Sequence, residues 1–172
     1  GHSSITGISS SSVIPGDLPA YNFNFREIQS QKGGKAAIIV TDSNYIKNYK
    51  IDLLAWNNFF AHNTSAQNNA CIINRACLAV LGFKNPEEAI GKIMKMEDES
   101  GIQNFETSII GVTENIDFSD AKEKHEPILL LDWTQEMLWG NYSVKTAITD
   151  YAAVLPFIRE KFNATFPNYP FE

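Results

Sequence analysis

The sequence predicts an α+β fold in which short helices lie between strands, and three patterns support this prediction. Residues 21–28 alternate aromatic with polar side chains at a period of two, which is typical of a strand with one buried face. Residues 36–40 and 127–131 are continuous apolar runs of strand length. A short helix is expected at residues 76–81, between the capping residue Asn74 and a terminating glycine.

The first third of the chain is predicted to contain a further strand, a helical turn and a loop. Residues 5–14 are rich in Ser and predict a strand whose serine face is exposed or edge-paired. Residues 44–49 predict a helical turn capped by Asp42 or Ser43. Residues 57–69 are polar and Asn-rich without periodicity, which predicts a long exposed loop.

Residues 74–91 carry the signals of two consecutive short helices. The first helix is too short to be stable alone in water and must be docked, and Gly82 ends it in the left-handed conformation. Pro86 opens the second, where its missing N–H costs nothing. Glu87 and Glu88 follow at the positive end of the helix dipole.

Arg75 is expected to destabilise the first helix slightly. If Asn74 is the cap, Arg75 takes the first helical position, where the dipole is positive and a cation is disfavoured. We therefore expect Arg75→Glu to raise thermal stability at low salt. The exception is an Arg75 held by a carboxylate such as Glu87 or Glu88.

The second half of the chain is predicted to end in a helix after several strands. The strands are expected at residues 70–73, 92–97, 105–112, 127–131 and 142–148, with a helical piece near 117–124. Thr149 or Asp150 caps the final helix, in which Pro156 predicts a kink or a start nearer Leu155. Its apolar face is expected to contain Tyr151, Val154, Leu155, Ile158 and Phe162.

Composition and charge exclude several classes of function. The 172 residues carry 14 Lys and Arg against 20 Asp and Glu, a net charge of −6, without the basic cluster that nucleic-acid binding needs. Apolar runs stay far below the ~20 residues that span a bilayer. The length suits one domain or two small subdomains. Residues 1–3, Gly-His-Ser, are expected to be a vector scar, so His2 is set aside.

No catalytic, cofactor or metal site is predicted. Cys71 and Cys77 form no CxxC pair and are expected to be buried small hydrophobes, although a bridge between strand and helix stays possible. Glu114 and Asp117 are the best carboxylate pair, but turn and helix-cap roles explain them. The glycines at 33–34 lack the spacing of a phosphate-binding loop.

Residues 74–91, NRACLAVLGFKNPEEAIG, resemble the signature of the MacB-like periplasmic core domain of FtsX-family ABC transporter permeases, of the type abundant in Bacteroidetes. Similar segments follow the same order over nearly the whole chain, namely residues 14–16, 41–47, 51–55, 109–112, 117–118 and 166–172. The chain departs from the pattern at Trp56-Asn57, where the family usually has Gly-Arg, and at Asn74-Arg75, where it usually has Asn-Glu.

The resemblance implies mixed sheets with short helices, arranged as a porter-like subdomain and a smaller inserted subdomain. Residues 4–73 and 127–172 would form the first, and residues 74–126 the second. It further implies a non-enzymatic domain on the extracytoplasmic (periplasmic) face of the inner membrane, within a multi-pass protein. The implied role is mechanotransmission, in which cytoplasmic ATP hydrolysis drives export or partner activation.

The resemblance also implies partners of three kinds: a second or paired permease copy, a cytoplasmic ATPase reached through membrane helices, and a periplasmic accessory protein. The side chains that we expect at a partner or ligand surface are Trp133, Met137, Leu138 and Trp139, in a loop at residues 133–140. If these aromatic side chains line a pocket, the alternative function is an extracytoplasmic ligand- or peptide-binding sensor. They are also suited to packing beneath the loop.

Overall fold

The computed structural model of the protein describes residues 2–14, 17, 21–56, 69–116, 125–131 and 140–171. These residues form nine strands and four α-helices, which confirms the predicted α+β class. The strands are β1 (Ile5–Ser11), β2 (Tyr21–Glu27), β3 (Gly33–Val40), β4 (Leu53–Trp56), β5 (Asn69–Asn74), β6 (Ile93–Asp98), β7 (Asn104–Thr113), β8 (Ile128–Leu131) and β9 (Asn141–Thr146). The helices are α1 (Tyr45–Tyr49), α2 (Arg75–Leu81), α3 (Pro86–Ala89) and α4 (Tyr151–Thr165).

Seven of these strands form one mixed sheet in the order β4-β7-β5-β8-β3-β2-β6. β6 also pairs with the first half of β7, where Ile93 lies opposite Ser108. This extra pairing closes the strands β7-β5-β8-β3-β2-β6 into a ring, with β4 attached to the second half of β7. The pairs β3–β8 and β5–β7 are parallel, and the other neighbours are antiparallel.

The predicted separation of residues 74–126 from the rest of the chain is wrong at the level of the sheet, because β6 pairs antiparallel with β2. Phe23 and Phe25 of β2 are buried in the same apolar cluster as Met94 and Met96 of β6. Alternating apolar side chains specify which face of a strand is buried, not which strand lies beside it. The separate sheet consists of β1 and β9 instead.

Two apolar clusters lie on opposite faces of the ring. Successive residues of a strand point to opposite faces, and Ile38 and Leu129 accordingly belong to one cluster while Ile39 and Leu130 belong to the other. The first cluster takes residues from all six ring strands and therefore lies inside, where α2 and α3 add Cys77, Leu78, Leu81 and Ala89. The second lies on the outer face and includes Tyr45 of α1.

The helix signals in residues 74–91 are confirmed. The Asn74 side chain accepts a hydrogen bond from the backbone N–H of Cys77, as an N-cap does, and Gly82 ends α2 at φ 77°. Pro86 opens α3, which has Glu87 and Glu88 in its first turn. The two helices thus begin and end where local sequence alone places them.

The exception stated for Arg75 applies, because a carboxylate holds it, although the partner is Glu114 and not Glu87 or Glu88. Its Nε donates to Glu114 Oε2 at 2.8 Å and its terminal nitrogen donates to Glu114 Oε1 at 2.7 Å. This hydrogen bonding lowers the pKa of Glu114 and raises that of Arg75. The partner lies 39 residues away and joins the helix start to the end of β7, so no local pattern could identify it.

The last helix differs in part from its prediction. α4 begins at Tyr151 and continues through Pro156, so the expected later start nearer Leu155 is wrong. Asp150 precedes the helix but makes no side-chain cap hydrogen bond. Of the predicted apolar face, Val154 is buried while Tyr151 is 59% exposed. α4 therefore lies largely on the surface of the domain.

Candidate functional site

The surface predicted from Trp133, Met137, Leu138 and Trp139 lies outside the described residues. The same is true of Asp117, the second member of the carboxylate pair. The interpretation of the loop as a partner or ligand surface therefore stays a prediction.

The candidate residues from the sequence that the structure describes, Cys71, Cys77 and Glu114, are buried or paired. Cys71 and Cys77 are free and buried, and burial raises the pKa of both thiols, that of Cys71 to about 12. Such thiols are poor nucleophiles because the thiolate is the reactive form. Glu114 is engaged by Arg75. In the part of the chain that the structure describes, no three His, Cys, Asp or Glu side chains are grouped as a metal site would require.

The Ser-rich strand β1 is hydrogen-bonded to Thr41 and Asp42, which directly follow β3. The Ser10 backbone N–H donates to Asp42 Oδ2 at 2.9 Å, and the Asp42 N–H donates back to the Ser10 carbonyl at 3.1 Å. Thr41 Oγ1 donates to the same carbonyl at 3.2 Å. Serines here are not an exposed face, since Ser9 and Ser11 are buried. The serines of β1 instead provide hydrogen-bond partners where the two sheets meet.

α1 is hydrogen-bonded to both strands of the two-stranded sheet, β1 and β9. Asn48 Nδ2 donates to Ser9 Oγ of β1 at 2.8 Å and to the Ser143 carbonyl of β9 at 3.3 Å. Lys145 Nζ of β9 donates to the Asn48 carbonyl at 3.2 Å, and the Tyr49 and Ser143 hydroxyl groups are 2.5 Å apart. We call these contacts, together with those of Ser10, Thr41 and Asp42, the terminal junction.

Tyr45 connects the terminal junction to the ring. Its side chain is fully buried in the outer apolar cluster with Ile39, Ile72 and Leu130, and its ring lies 4.7 Å from that of Tyr49, centroid to centroid. Burial raises the pKa of its hydroxyl, which has no hydrogen-bond partner among the described residues. A short helix is thus anchored by apolar packing on one side and by hydrogen bonds on the other.

A cavity of about 480 Å³ lies beside α1, on the outer face of the ring. Its apolar lining comprises Ile46, Ile51, Leu53, Trp56, Ile72 and Leu130. Lys47, Lys50, Asp42 and Asp52 supply charged groups to the same cavity. Volume and lining fit the usual small-molecule site, which is apolar with a few polar groups. Sequence reasoning missed this site, although Trp56 marks a departure from the resembled pattern.

No protein-family model matches the sequence, and no curated protein is similar to it. Solved structures are similar. The periplasmic region of MacB from Actinobacillus actinomycetemcomitans aligns with a TM-score of 0.61 and 12% identity, covering 95% of this chain and 69% of the MacB chain. The extracellular domain of the noncanonic ABC-type transporter YknZ from Gram-positive bacteria aligns with a TM-score of 0.57 and 14% identity, covering 88% and 71%.

A domain of a protein named as a permease from Porphyromonas gingivalis aligns with a TM-score of 0.59 and 13% identity, covering 92% of this chain and 65% of that one. The chain has the fold of the MacB periplasmic region. The resemblance read from residues 74–91 is thereby confirmed at the level of the fold. Within the described part of this MacB-like domain, no helix is long and apolar enough to cross a membrane.

Proposed function

We propose that the chain is the extracytoplasmic domain of an ABC transporter permease and that it transmits conformational change without catalysing a reaction. The observation that carries this proposal is the shared fold with three transporter and permease domains over 88–95% of the chain. In the proposed mechanism, ATP hydrolysis by a cytoplasmic ATPase moves membrane helices of the full-length protein. The domain moves with them against a second permease copy or an accessory protein.

The terminal junction supports this proposal by offering a route for the movement. β1 and β9 pair along their whole lengths, from Ile5 opposite Thr146 to Ser11 opposite Asn141. Asn48 of α1 donates hydrogen bonds to both strands of this sheet, and Asp42, after the end of β3, accepts one from the Ser10 backbone N–H. Several hydrogen bonds in parallel resist shear better than a single flexible linker. The domain is therefore suited to act as one lever.

The test uses the full-length protein with its ATPase in lipid nanodiscs. A spin label on the exposed Lys84→Cys position of each copy reports the distance between two domains by pulsed EPR, and the native thiols Cys71 and Cys77 are too buried to label. We expect the distance distribution to change when an ATP analogue replaces the nucleotide-free state. An unchanged distribution would contradict the proposal.

An insertion tests the route itself. Four Gly-Ser residues placed after Ala147, between β9 and the turn that precedes α4, should abolish the ATP-dependent change while leaving the melting temperature of the domain intact. The matched control is the same insertion after Ser100, in the turn between β6 and β7. This control should still show the ATP-dependent change in distance. If both insertions keep it, the movement does not pass through β9.

A further inference from the structure

The cavity beside α1 combines an apolar interior with the ammonium groups of two exposed lysines. We propose that it binds a small anionic amphiphile, with an aliphatic body inside the cavity and one acidic group at its edge. The proposal is independent of the transporter role, because it concerns a ligand site on the domain itself. Its evidence is the lining of the cavity, the exposure of two apolar side chains there, and the hydrogen bonding of its charged groups.

Two of the apolar side chains that line the cavity remain exposed to solvent. Trp56 is 53% exposed and Leu53 is 38% exposed, and both line the cavity. The buried side chains of Ile72 and Leu130 form part of its wall. Covering such surface is favourable because it removes apolar area from water. An aliphatic chain of ten to twelve carbons is of a size that a cavity of about 480 Å³ accommodates.

The charged side chains at the cavity favour an anionic head group. Lys47 and Lys50 are exposed, and their ammonium groups have neither an ion-pair nor a hydrogen-bond partner among the residues that the structure describes. Asp42 is already committed, because its two carboxylate oxygens accept backbone N–H donors from Asn44 and Ser10. Among the described residues that line the cavity, two ammonium groups without a partner therefore stand against one carboxylate without a hydrogen bond, that of Asp52. Ammonium groups bind a carboxylate by charge-assisted hydrogen bonds.

Asp52 acts against an anionic ligand and so supplies a second test of sign. Its side chain is exposed and lines the same cavity as Lys47 and Lys50. Removing this negative charge should strengthen the binding of an anion and weaken that of a cation. The lysines should have the opposite effects when their charge is reversed.

The experiment measures binding of dodecanoate to the purified chain by isothermal titration calorimetry, below the micelle-forming concentration, together with tryptophan fluorescence. Dodecyltrimethylammonium is the probe of opposite charge, and acetate is the head group without the chain. We expect saturable one-to-one binding of dodecanoate, at least tenfold weaker binding of the cationic probe, and none of acetate. Trp56→Phe should remove the fluorescence change while calorimetry still detects binding.

Variants then locate the site. Lys47→Glu/Lys50→Glu should weaken dodecanoate binding about tenfold or more, and Asp52→Asn should strengthen it. The control, Lys84→Glu/Lys161→Glu, changes the net charge equally at exposed positions away from the cavity and should have no effect. Leu53→Trp should reduce binding by filling the cavity. These residues are exposed or partly exposed, and an unchanged melting temperature verifies the fold.

Three outcomes would overturn the proposal. The first is the absence of dodecanoate binding, and the second is equal binding of the anionic and cationic probes, which would indicate an apolar groove without a head-group site. The third is equal weakening by the cavity and control lysine variants, since that would indicate a general charge effect.

Discussion

At the scale of single residues, Asn74 links three segments through one side chain. Its Oδ1 accepts from the backbone N–H groups of Cys77 and Ile128, both at 3.0 Å, and its Nδ2 donates to the Glu126 carbonyl at 2.8 Å. Its side chain is buried, and so are its hydrogen bonds with the N–H groups of Cys77 and Ile128. If Asn74 is removed, these two N–H groups lose their partner without gaining water. The residue that caps α2 therefore also makes tertiary hydrogen bonds.

We therefore expect Asn74→Ala to lower the free energy of unfolding by about 2–4 kcal/mol. A lost helix cap costs about 1 kcal/mol, and unsatisfied buried groups cost about 1–3 kcal/mol. Chemical denaturation measures the loss. Asn85→Ala is the control, because the Asn85 side chain makes no cap hydrogen bond to the backbone of α3 and only an exposed one to the Glu88 carboxylate. It should cost less than about 0.5 kcal/mol. Equal losses for both variants would contradict the argument.

The Arg75–Glu114 pair reverses the expectation from the helix dipole. Arg75→Glu would place a carboxylate beside Glu114 and should lower the melting temperature slightly at low salt, with the loss reduced at high salt. The charge-swapped double variant Arg75→Glu/Glu114→Arg should recover part of the loss. A single variant more stable than the native chain would show that the dipole outweighs the pair.

At the scale of elements, Glu27 holds the turn between β2 and β3. Its Oε1 accepts from the Gln29 backbone N–H at 2.9 Å, and its Oε2 accepts from that of Ser30 at 2.5 Å. Hydrogen bonding by Ser30 is the main cause of the lowered pKa of Glu27, against the opposing effect of burial. The ionised form is therefore the one that the turn stabilises.

This pKa shift predicts a pH dependence with a definite sign. Because the folded pKa lies below the ordinary value of 4.5, the stabilisation is present above about pH 4.5 and is lost as pH falls through the folded pKa. Glu27→Gln should lower the melting temperature at pH 7, and the difference from the native chain should shrink below about pH 4.5. A difference that is constant with pH would contradict it.

α4 tests how much an interior proline costs in a surface helix. Pro156 cannot donate the hydrogen bond that a helix interior requires, a loss of up to about 3 kcal/mol. Since Val154 is the buried residue of the helix, we expect Pro156→Ala to slow hydrogen exchange of the α4 amides while hardly changing the melting temperature of the whole chain. Unchanged exchange in α4 would contradict this.

At the scale of the whole molecule, ring closure joins strands from distant parts of the chain. β6 contacts β2 on one side and β7 on the other, and β1 pairs with β9 across more than 130 residues, as Ser10 opposite Tyr142 shows. A ring with these connections has no sequence-continuous half with its own complete sheet.

We therefore expect residues 74–126 to be unfolded as an isolated fragment. The fragment retains β6 and β7 but lacks β2, β5 and β8, so Met94 and Ile109 would lose the cluster that buries them. Circular dichroism and the chemical-shift dispersion of an NMR spectrum measure this. A folded fragment with a cooperative transition would restore the predicted inserted subdomain.

Local sequence determined the elements whose cause is local. Asn74, Gly82 and Pro86 fix where α2 and α3 begin and end, because capping and backbone conformation involve neighbours within a few residues. The alternation in residues 21–28 likewise identified β2, because a half-buried strand needs only a period of two. The resemblance carried by residues 74–91 was sufficient for the fold.

Only the tertiary structure decided which elements meet. The pairing of β6 with β2, the hold of Glu114 on Arg75 and the cavity that brings Ile72 and Leu130 to Trp56 all join residues far apart in sequence. A side-chain pattern records what is buried, whereas the neighbour is chosen by the packing of the whole chain. The candidate ligand site therefore emerged from the structure, while the sequence itself supplied one visible sign of it, Trp56.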